Sequence, residues 1–250
     1  MTQLKIQLLD SMGNDMSVIN AARISFSQDD YGNLQPEPRT EAQILSLLNF
    51  LARGVDQKEW NLRLQDLSNG VSHPELVYKH IRNTPTHWVP FAHTCITVKC
   101  NAPVPIRTQC FKSKIGFVEN EESRRYIKST PEIFIPDTLR ASPQGSIKQG
   151  SAETHTHSSY WIKKYTEQTE AAVDLYERMI SDGVCPEQAR FVLPQGTIVN
   201  WVWTGNLYSF AQFFILRTDP HAQKEVQVLA QQLDPILRSL FPKAWAALVD

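Results

Sequence analysis

Helical spacing dominates the last hundred residues of the chain and sets the kind of fold open to it. There, apolar side chains return every three to four positions, as they must on a helix that buries one face. Tyr165, Thr169, Ala172, Tyr176 and Met179 form one such stripe, which closes near Gly183. Leu207, Phe210, Ala211 and Phe214 form a second. Asp219 and Pro220 read as the cap and first-turn pair of a long last helix carrying Val226, Leu229, Ala230, Leu233 and Leu237.

The earlier part of the chain is mixed. Leu4 to Leu9 is short and apolar, and Thr94 to Cys100 is rich in β-branched residues, so both read as strands. Between them, Thr40 and Gln43 have capping-box spacing ahead of the stripe Ile44, Leu47, Leu48 and Leu51, with Gly54 as the stop. Residues 55–82 are looser and more polar, with room for a short helix around Trp60. Pro103 and Pro105 predict a turn into a helix through Cys110. The stretch 131–150, with SPQGSIKQGS at its end, has loop composition and is expected to move over a site. Strands early and helices late predict an α+β class.

Composition narrows the functional classes. With 25 Lys and Arg against 26 Asp and Glu the net charge is -1, so no broad basic surface awaits a nucleic acid or an acidic membrane. A phosphate-bearing ligand must then be held by a local cluster of cations. No apolar run approaches a membrane span, the N-terminal residues do not read as a signal peptide, and four scattered cysteines without metal spacing suit a reduced, cytoplasmic chain.

One such cluster is QCFKSKIGFVENEESRRY, from Gln109 to Tyr126. Lys112, Lys114, Arg124 and Arg125 surround Glu119, Glu121 and Glu122, with Ser123 among them. Cations of this kind bind phosphate, and the carboxylates orient them or accept from a polar base. Helical spacing would put Glu121 beside Arg124 or Arg125, which is equally the pattern of a solvated ion-pair face. In PEQARFVLPQG a helix begun by Pro186 would put Glu187 and Arg190 on one face, where a surface salt bridge is the plain alternative. In LRTDPHAQKE, Arg217 near a helix end complements the helix dipole, and His221 taken alone reads as a partly buried structural histidine. His155 and His157 lack a third ligand, so no metal site is expected. Cys110 beside two lysines could be a nucleophile, but a small buried thiol is the better reading. No glycine-rich dinucleotide fingerprint is present.

Taken in order, these segments resemble the flavin-dependent thymidylate synthases, especially their phage-like branch, over nearly the whole chain. The family's RHR-x7-S signature lies in a longer stretch that corresponds to Gln109, Lys112-Ser113-Lys114 and Asn120-Glu121-Glu122-Ser123-Arg124-Arg125-Tyr126. NAARISF from Asn20 to Phe26, LLNFLARG from Leu47 to Gly54, and HWVPFAH from His87 to His93 are similar to the family's early segments. GVCPEQARFVLP from Gly183 to Pro194, then NLYSFAQFFILR and HAQKE, are similar to its later ones. The chain departs at Lys112, Ser113 and Lys114, which replace Arg-His-Arg, at Ala92 where relatives carry glutamate, and in an eight-residue gap before Ser123. Lysine keeps the charge but not the planar fork of arginine.

The resemblance implies one domain over residues 1–250, with insertions at about 55–82 and 131–150. It implies reductive methylation of dUMP to dTMP, with 5,10-methylenetetrahydrofolate as carbon donor, FAD as cofactor and NADPH or NADH as reductant. It places Gln109, Lys112, Glu121, Ser123, Arg125, Arg190 and Arg217 around dUMP, with Arg217, Ser123 and Gln109 nearest the chemistry. It assigns His93, Lys112, Lys114, Glu187, Asn206, Gln212, Leu216 and His221 to FAD, and His93 also to the folate. A homotetramer with shared sites is implied too. The competing class is a catalytically inactive nucleotide- or flavin-binding relative, motivated by Lys112-Ser113-Lys114; a cysteine-dependent thymidylate synthase fits the segment order poorly.

Overall fold

The computed structural model describes residues 4–24, 40–55, 57–69, 87–144 and 150–250. The class is α+β, as the early strands and late helices lead one to expect. Four strands, β1 (Lys5–Met12), β2 (Cys95–Pro103), β3 (Phe117–Glu121) and β4 (Ile198–Gly205), form one sheet in the order β1-β2-β4-β3. Thr97 meets Thr204 hydroxyl to hydroxyl at 3.0 Å, and Asn101 Nδ2 donates to Asn200 Oδ1 at 2.9 Å. As numbers rise along β2 they fall along β4, so these central strands are antiparallel.

The chain forms two compact units that interleave in sequence. The first comprises Met1–Leu9, Thr97–Thr204 and Phe213–Leu233. It holds most of the sheet together with α5 (Val104–Cys110), α6 (Ser158–Ser181), α7 (Pro186–Ala189), the C-terminal half of α8 (Leu207–Thr218) and α9 (Lys224–Gln231). Its core is aromatic. Trp203 on β4 is fully buried, stacked on Phe117 of β3 at 4.3 Å and met edge-on by Phe213 of α8 at 4.8 Å. Gly196, just before β4, leaves room for the Tyr165 hydroxyl, which donates to the Phe134 carbonyl at 3.0 Å; a side chain there would collide with that hydroxyl.

The second unit comprises Asp10–Ile96, Gly205–Gln212 and Asp234–Asp250. It contains α1 (Asp15–Arg23), α2 (Glu41–Arg53), α3 (Gln57–Ser68), α4 (Val89–Ala92), α10 (Leu233–Leu240) and α11 (Pro242–Val249). The capping box is formed: Thr40 Oγ1 accepts from the Gln43 N–H and Gln43 Oε1 from the Thr40 N–H, and Gly54 closes α2 at φ +72°. Asp15 takes the Lys243 and Ala244 amides at the start of α11, a cap from far away in sequence. Arg53 donates to the carbonyls of Ala246 and Ala247, and burial lowers its pKa to about 10. Trp60 is buried on α3, as expected of a short helix there.

One expected element is not observed. Asp219 and Pro220 begin no helix; the Asp219 carboxylate accepts from the His221 N–H at 2.9 Å and closes a turn instead. The single long last helix is replaced by α9, α10 and α11. The break between the first two has a plain cause, because Pro235 has no N–H to give the Gln231 carbonyl. Pro242 then opens α11 in its first turn. Residues 25 and 26 of the NAARISF segment, 70–86 and 145–149 lie outside the described residues. Among the described residues no helix is long and apolar enough to cross a membrane.

Candidate active site

The charged stretch from Gln109 to Tyr126 is a helix end, a turn, a strand and a second turn, rather than one helix face. Pro105 lies in the first turn of α5, Ile106 and Cys110 are buried beneath it, and Gly116 at φ +76° lets the chain turn into β3. Along β3 the side chains alternate, so Phe117, Glu119 and Glu121 share one face. Glu119 is paired with Lys114. Glu121 is not beside Arg124 or Arg125, as helical spacing would have it, but forms an ion pair with Arg107, 2.9 Å from Nε to Oε2. Burial raises the Glu121 pKa from its ordinary value; Arg107 works against that rise and Glu122 adds to it.

Beyond β3 the two arginines part. Arg124 Nη1 donates to the Ser129 carbonyl at 2.7 Å, and its guanidinium lies 6.0 Å from the Tyr176 ring, which makes it structural. Arg125 is exposed; its Nε meets Glu187 Oε2 at 3.2 Å, and its amide is 3.4 Å from Ser123 Oγ. Pro186 does open a short helix, with Cys185 at the position before it, but Glu187 pairs with Arg125 rather than with Arg190. Arg190 begins the one-turn helix Arg190–Val192, which packs on α6.

Arg217 occupies the last turn of α8. Its Nη2 donates to the Gln109 carbonyl at 3.0 Å, joining two residues expected around dUMP. Its Nε is buried and, among the described residues, has no hydrogen-bond partner. An N–H of a cation, withdrawn from water and unspent, is costly unless a ligand acceptor completes it. The Gln109 side chain also donates to Gln223, which donates to Glu225, and Glu225 is gripped by Arg140 at 2.7 and 2.9 Å. Burial alone would raise the Glu225 pKa, but the bonds from Arg140 and Gln223 outweigh it and hold the carboxyl below its ordinary value. A carboxylate depressed in this way stabilises the fold above the unfolded-state pKa of about 4.3 and loses that contribution as pH falls through its folded value. The stability gap between the protein and its Glu225→Gln variant, measured by urea melts, will therefore be widest near neutral pH and close in acid; a gap independent of pH would contradict this.

The other expected residues are placed less tellingly. Lys112 is exposed and Ser113 half-buried. Leu216 is exposed, and the His221 ring is exposed with Nδ1 3.1 Å from Asp219, so it is not a buried structural histidine. His93, Asn206 and Gln212 belong to the second unit. There Asn206 Oδ1 accepts from the amide and hydroxyl of Ser209, both at 2.9 Å, at the start of α8, while His93 and Gln212 are exposed. Cys110 is fully buried, and burial pushes its thiol up to about 12, which suits a core residue and not a nucleophile. No cluster of metal-ligating side chains is found among the described residues. A cavity of about 350 Å³ beside α6, lined by Pro131, Ile135, Val173 and Glu177 among others, contains none of the expected site residues.

Two groups of partners escaped the sequence. Arg107 bore no signal beyond its place two residues before Gln109. Gln223 and Glu225 sit in the HAQKE segment, where the spacing of two puts both at the start of α9, but nothing local points from Glu225 to Arg140.

Comparison with known proteins identifies a family and a fold. The model of a family described as thymidylate synthase complementing protein matches residues 7–243. A flavin-dependent thymidylate synthase of Thermosipho africanus is 28% identical over 97% of this chain and 89% of its own length. One from Thermotoga neapolitana is 28% identical over 98% and 90%. The fold is similar to that of the UMP/dUMP methylase PolB from Streptomyces cacaoi, solved with 5-Br dUMP, at a TM-score of 0.76 and 23% identity, over 98% of this chain and 94% of that one.

Proposed function

The chain belongs to the thymidylate synthase complementing protein family, and on that premise we propose that it is a flavin-dependent thymidylate synthase. It takes the one-carbon unit of 5,10-methylenetetrahydrofolate to carbon 5 of dUMP and releases dTMP and tetrahydrofolate. The observation that carries the reading is the buried, unpartnered Nε of Arg217 beside Gln109. A uracil carbonyl is an acceptor of the right kind for it, and an arginine there stabilises negative charge as it grows on the base.

Elsewhere in its sequence the chain carries the other groups a nucleotide needs. Arg125 and Arg190 supply cations for the phosphate, with Ser123 for a nearby oxygen. Glu121, held by Arg107, and Gln109 face the polar edges. Lys112 serves both ligands as a point charge where relatives present a guanidinium fork. Lys114, Glu187, His93, Asn206, Gln212, Leu216 and His221 are assigned to FAD by resemblance, and His93 also to the folate. Exposed cations at Lys112 and Lys114 and the donor and acceptor types of the set suit the diphosphate and polar ring edge of a flavin nucleotide. The flavin, when bound, supplies the hydride that turns the transferred carbon into a methyl group, and NADPH or NADH restores it. We assign the chain one domain over residues 1–250, a homotetrameric state with shared sites, and a place in the cytoplasm.

The inactive relative is the less favoured reading. Gln109, Glu121, Ser123, Arg125, Arg190 and Arg217 keep their residue types, and Lys112 and Lys114 keep the charge of the signature. Reduced anaerobically with NADPH, the FAD-loaded protein should lose its yellow absorbance and regain it on adding dUMP with methylenetetrahydrofolate. Reduction without recovery would point to the inactive relative. Because burial keeps the Cys110 thiol protonated, Cys110→Ala should retain most of the turnover, within a factor of a few. Complete loss of turnover in a folded Cys110→Ala protein would point to nucleophilic cysteine chemistry.

A further inference from the structure

Gln109 is tied at two places. Its carbonyl accepts from Arg217, and its Nε2 donates to Gln223 Oε1. Gln223 Nε2 donates in turn to Glu225 Oε2 at 2.9 Å. Arg140 grips that carboxylate through Nη2 at 2.7 and 2.9 Å, and is itself steadied by Nε donating to Ser151 Oγ at 2.7 Å. A relay thus runs from a segment of loop composition, through the first turn of α9, to a residue expected around dUMP.

The relay has a direction, which its chemistry enforces. A glutamine amide has a donor end and an acceptor end of nearly equal shape, and its neighbours decide which way it turns. A carboxylate only accepts. Glu225 therefore admits only the NH2 end of Gln223, which turns Gln223 Oε1 toward Gln109. That oxygen admits only the NH2 end of Gln109. The Oε1 of Gln109 is left over, and among the described residues no protein group donates to it. The main-chain carbonyl of the same residue is met by Arg217, which can only donate.

We propose that the Arg140–Glu225 pair is a positioning and specificity device, fixing the Gln109 amide so that an acceptor stands beside the Arg217 donor. A donor next to an acceptor complements the C4 carbonyl and N3–H of uracil. Cytosine presents the reverse, an amino group and a bare N3, and meets a mismatch at both positions. Arg140, Gln223 and Glu225 touch no substrate; they act through Gln109. The inference deepens the dUMP reading given above and rests on it.

The test compares dUMP with dCMP binding to the FAD-loaded protein by calorimetry, in the unaltered chain and in Glu225→Gln and Gln223→Leu. The unaltered protein should prefer dUMP strongly. An amide at position 225 can present either end, and leucine at 223 severs the relay while leaving the Arg140–Glu225 pair in place. Each change should lower the dUMP-to-dCMP affinity ratio by roughly tenfold or more, and raise KM for dUMP more than it lowers kcat. A purely structural role would weaken both nucleotides together and leave the ratio where it was. If Glu225→Gln fails to fold, Gln223→Leu carries the comparison alone. An unchanged ratio in folded Gln223→Leu overturns the relay while the dUMP reading stands. Failure of the unaltered protein to bind dUMP overturns that reading, and the relay with it.

Discussion

Replacing Arg217 with alanine should lower kcat/KM for dUMP by roughly 10² to 10³, the cost of removing a charged donor from the place where the proposed function has negative charge grow on the base. The change removes two things. The buried Nε is gone, and the Gln109 carbonyl loses the Nη2 bond it receives at 3.0 Å. The second loss is structural and amounts to about 1 to 3 kcal/mol if the carbonyl stays dry. The two are separated by the lysine variant. Arg217→Lys keeps a positive charge but cannot present a fork that serves the Gln109 carbonyl and a ligand at once. It should bind dUMP better than Arg217→Ala and still turn over far more slowly than the unaltered protein. Steady-state kinetics with dUMP as the varied substrate, beside thermal melts of each variant, measures both. A kcat/KM within twofold of normal in Arg217→Ala would remove the residue from the site.

The second large effect is expected in the core of the first unit. Trp203 is fully buried between Phe117, stacked at 4.3 Å, and Phe213, edge-on at 4.8 Å. Trp203→Ala empties that space and should destabilise the fold by about 3 to 5 kcal/mol. For a chain of this size that is a fall in Tm of roughly 6 to 20 °C. Phe117 begins the strand that ends at Glu121, and Phe213 lies one helical turn before Arg217, so the same cavity loosens the supports of two residues proposed for the site. Below its melting point Trp203→Ala should therefore lose dUMP affinity as well as stability, while Trp203→Phe should recover most of both. Normal dUMP binding by the alanine variant at low temperature would show that the aromatic stack does not position the site.

What could be read from the sequence was what neighbouring residues decide among themselves. The Thr40 and Gln43 box, the Gly54 stop and the helix that Pro103 and Pro105 introduce all formed where their spacing put them. The buried Cys110 also followed, since a thiol on the inner face of a short helix has little else to do. Periodicity misjudged the charged stretch. Between Glu119 and Arg125 an i, i+3 pattern is compatible with a helix, but the aromatic stack of Phe117 on Trp203 draws the segment into the sheet and gives Glu121 to Arg107. Asp219 and Pro220 matched the spelling of a helix start, yet the Asp219 carboxylate served the His221 amide two residues on. Glu225 and Arg140 are 85 positions apart, and no local pattern joins residues at that distance. Order along the chain succeeded where spacing did not. Separate charge clusters, each as well explained by solvated surface, acquired a shared meaning once their succession resembled a family, and Gln109 with Arg217 then proved to be in contact.

The most direct test of the whole account is the fate of the folate. The carbon leaves methylenetetrahydrofolate short of two electrons and becomes a methyl group only when they are supplied. If they come through the flavin the folate departs as tetrahydrofolate; if they come from the folate ring it departs as dihydrofolate. Purified protein given dUMP, methylenetetrahydrofolate, FAD and NADPH should yield dTMP and tetrahydrofolate in equal amounts, and no dTMP when FAD is withheld from flavin-free protein. Dihydrofolate in step with dTMP, or turnover indifferent to FAD, would contradict the account.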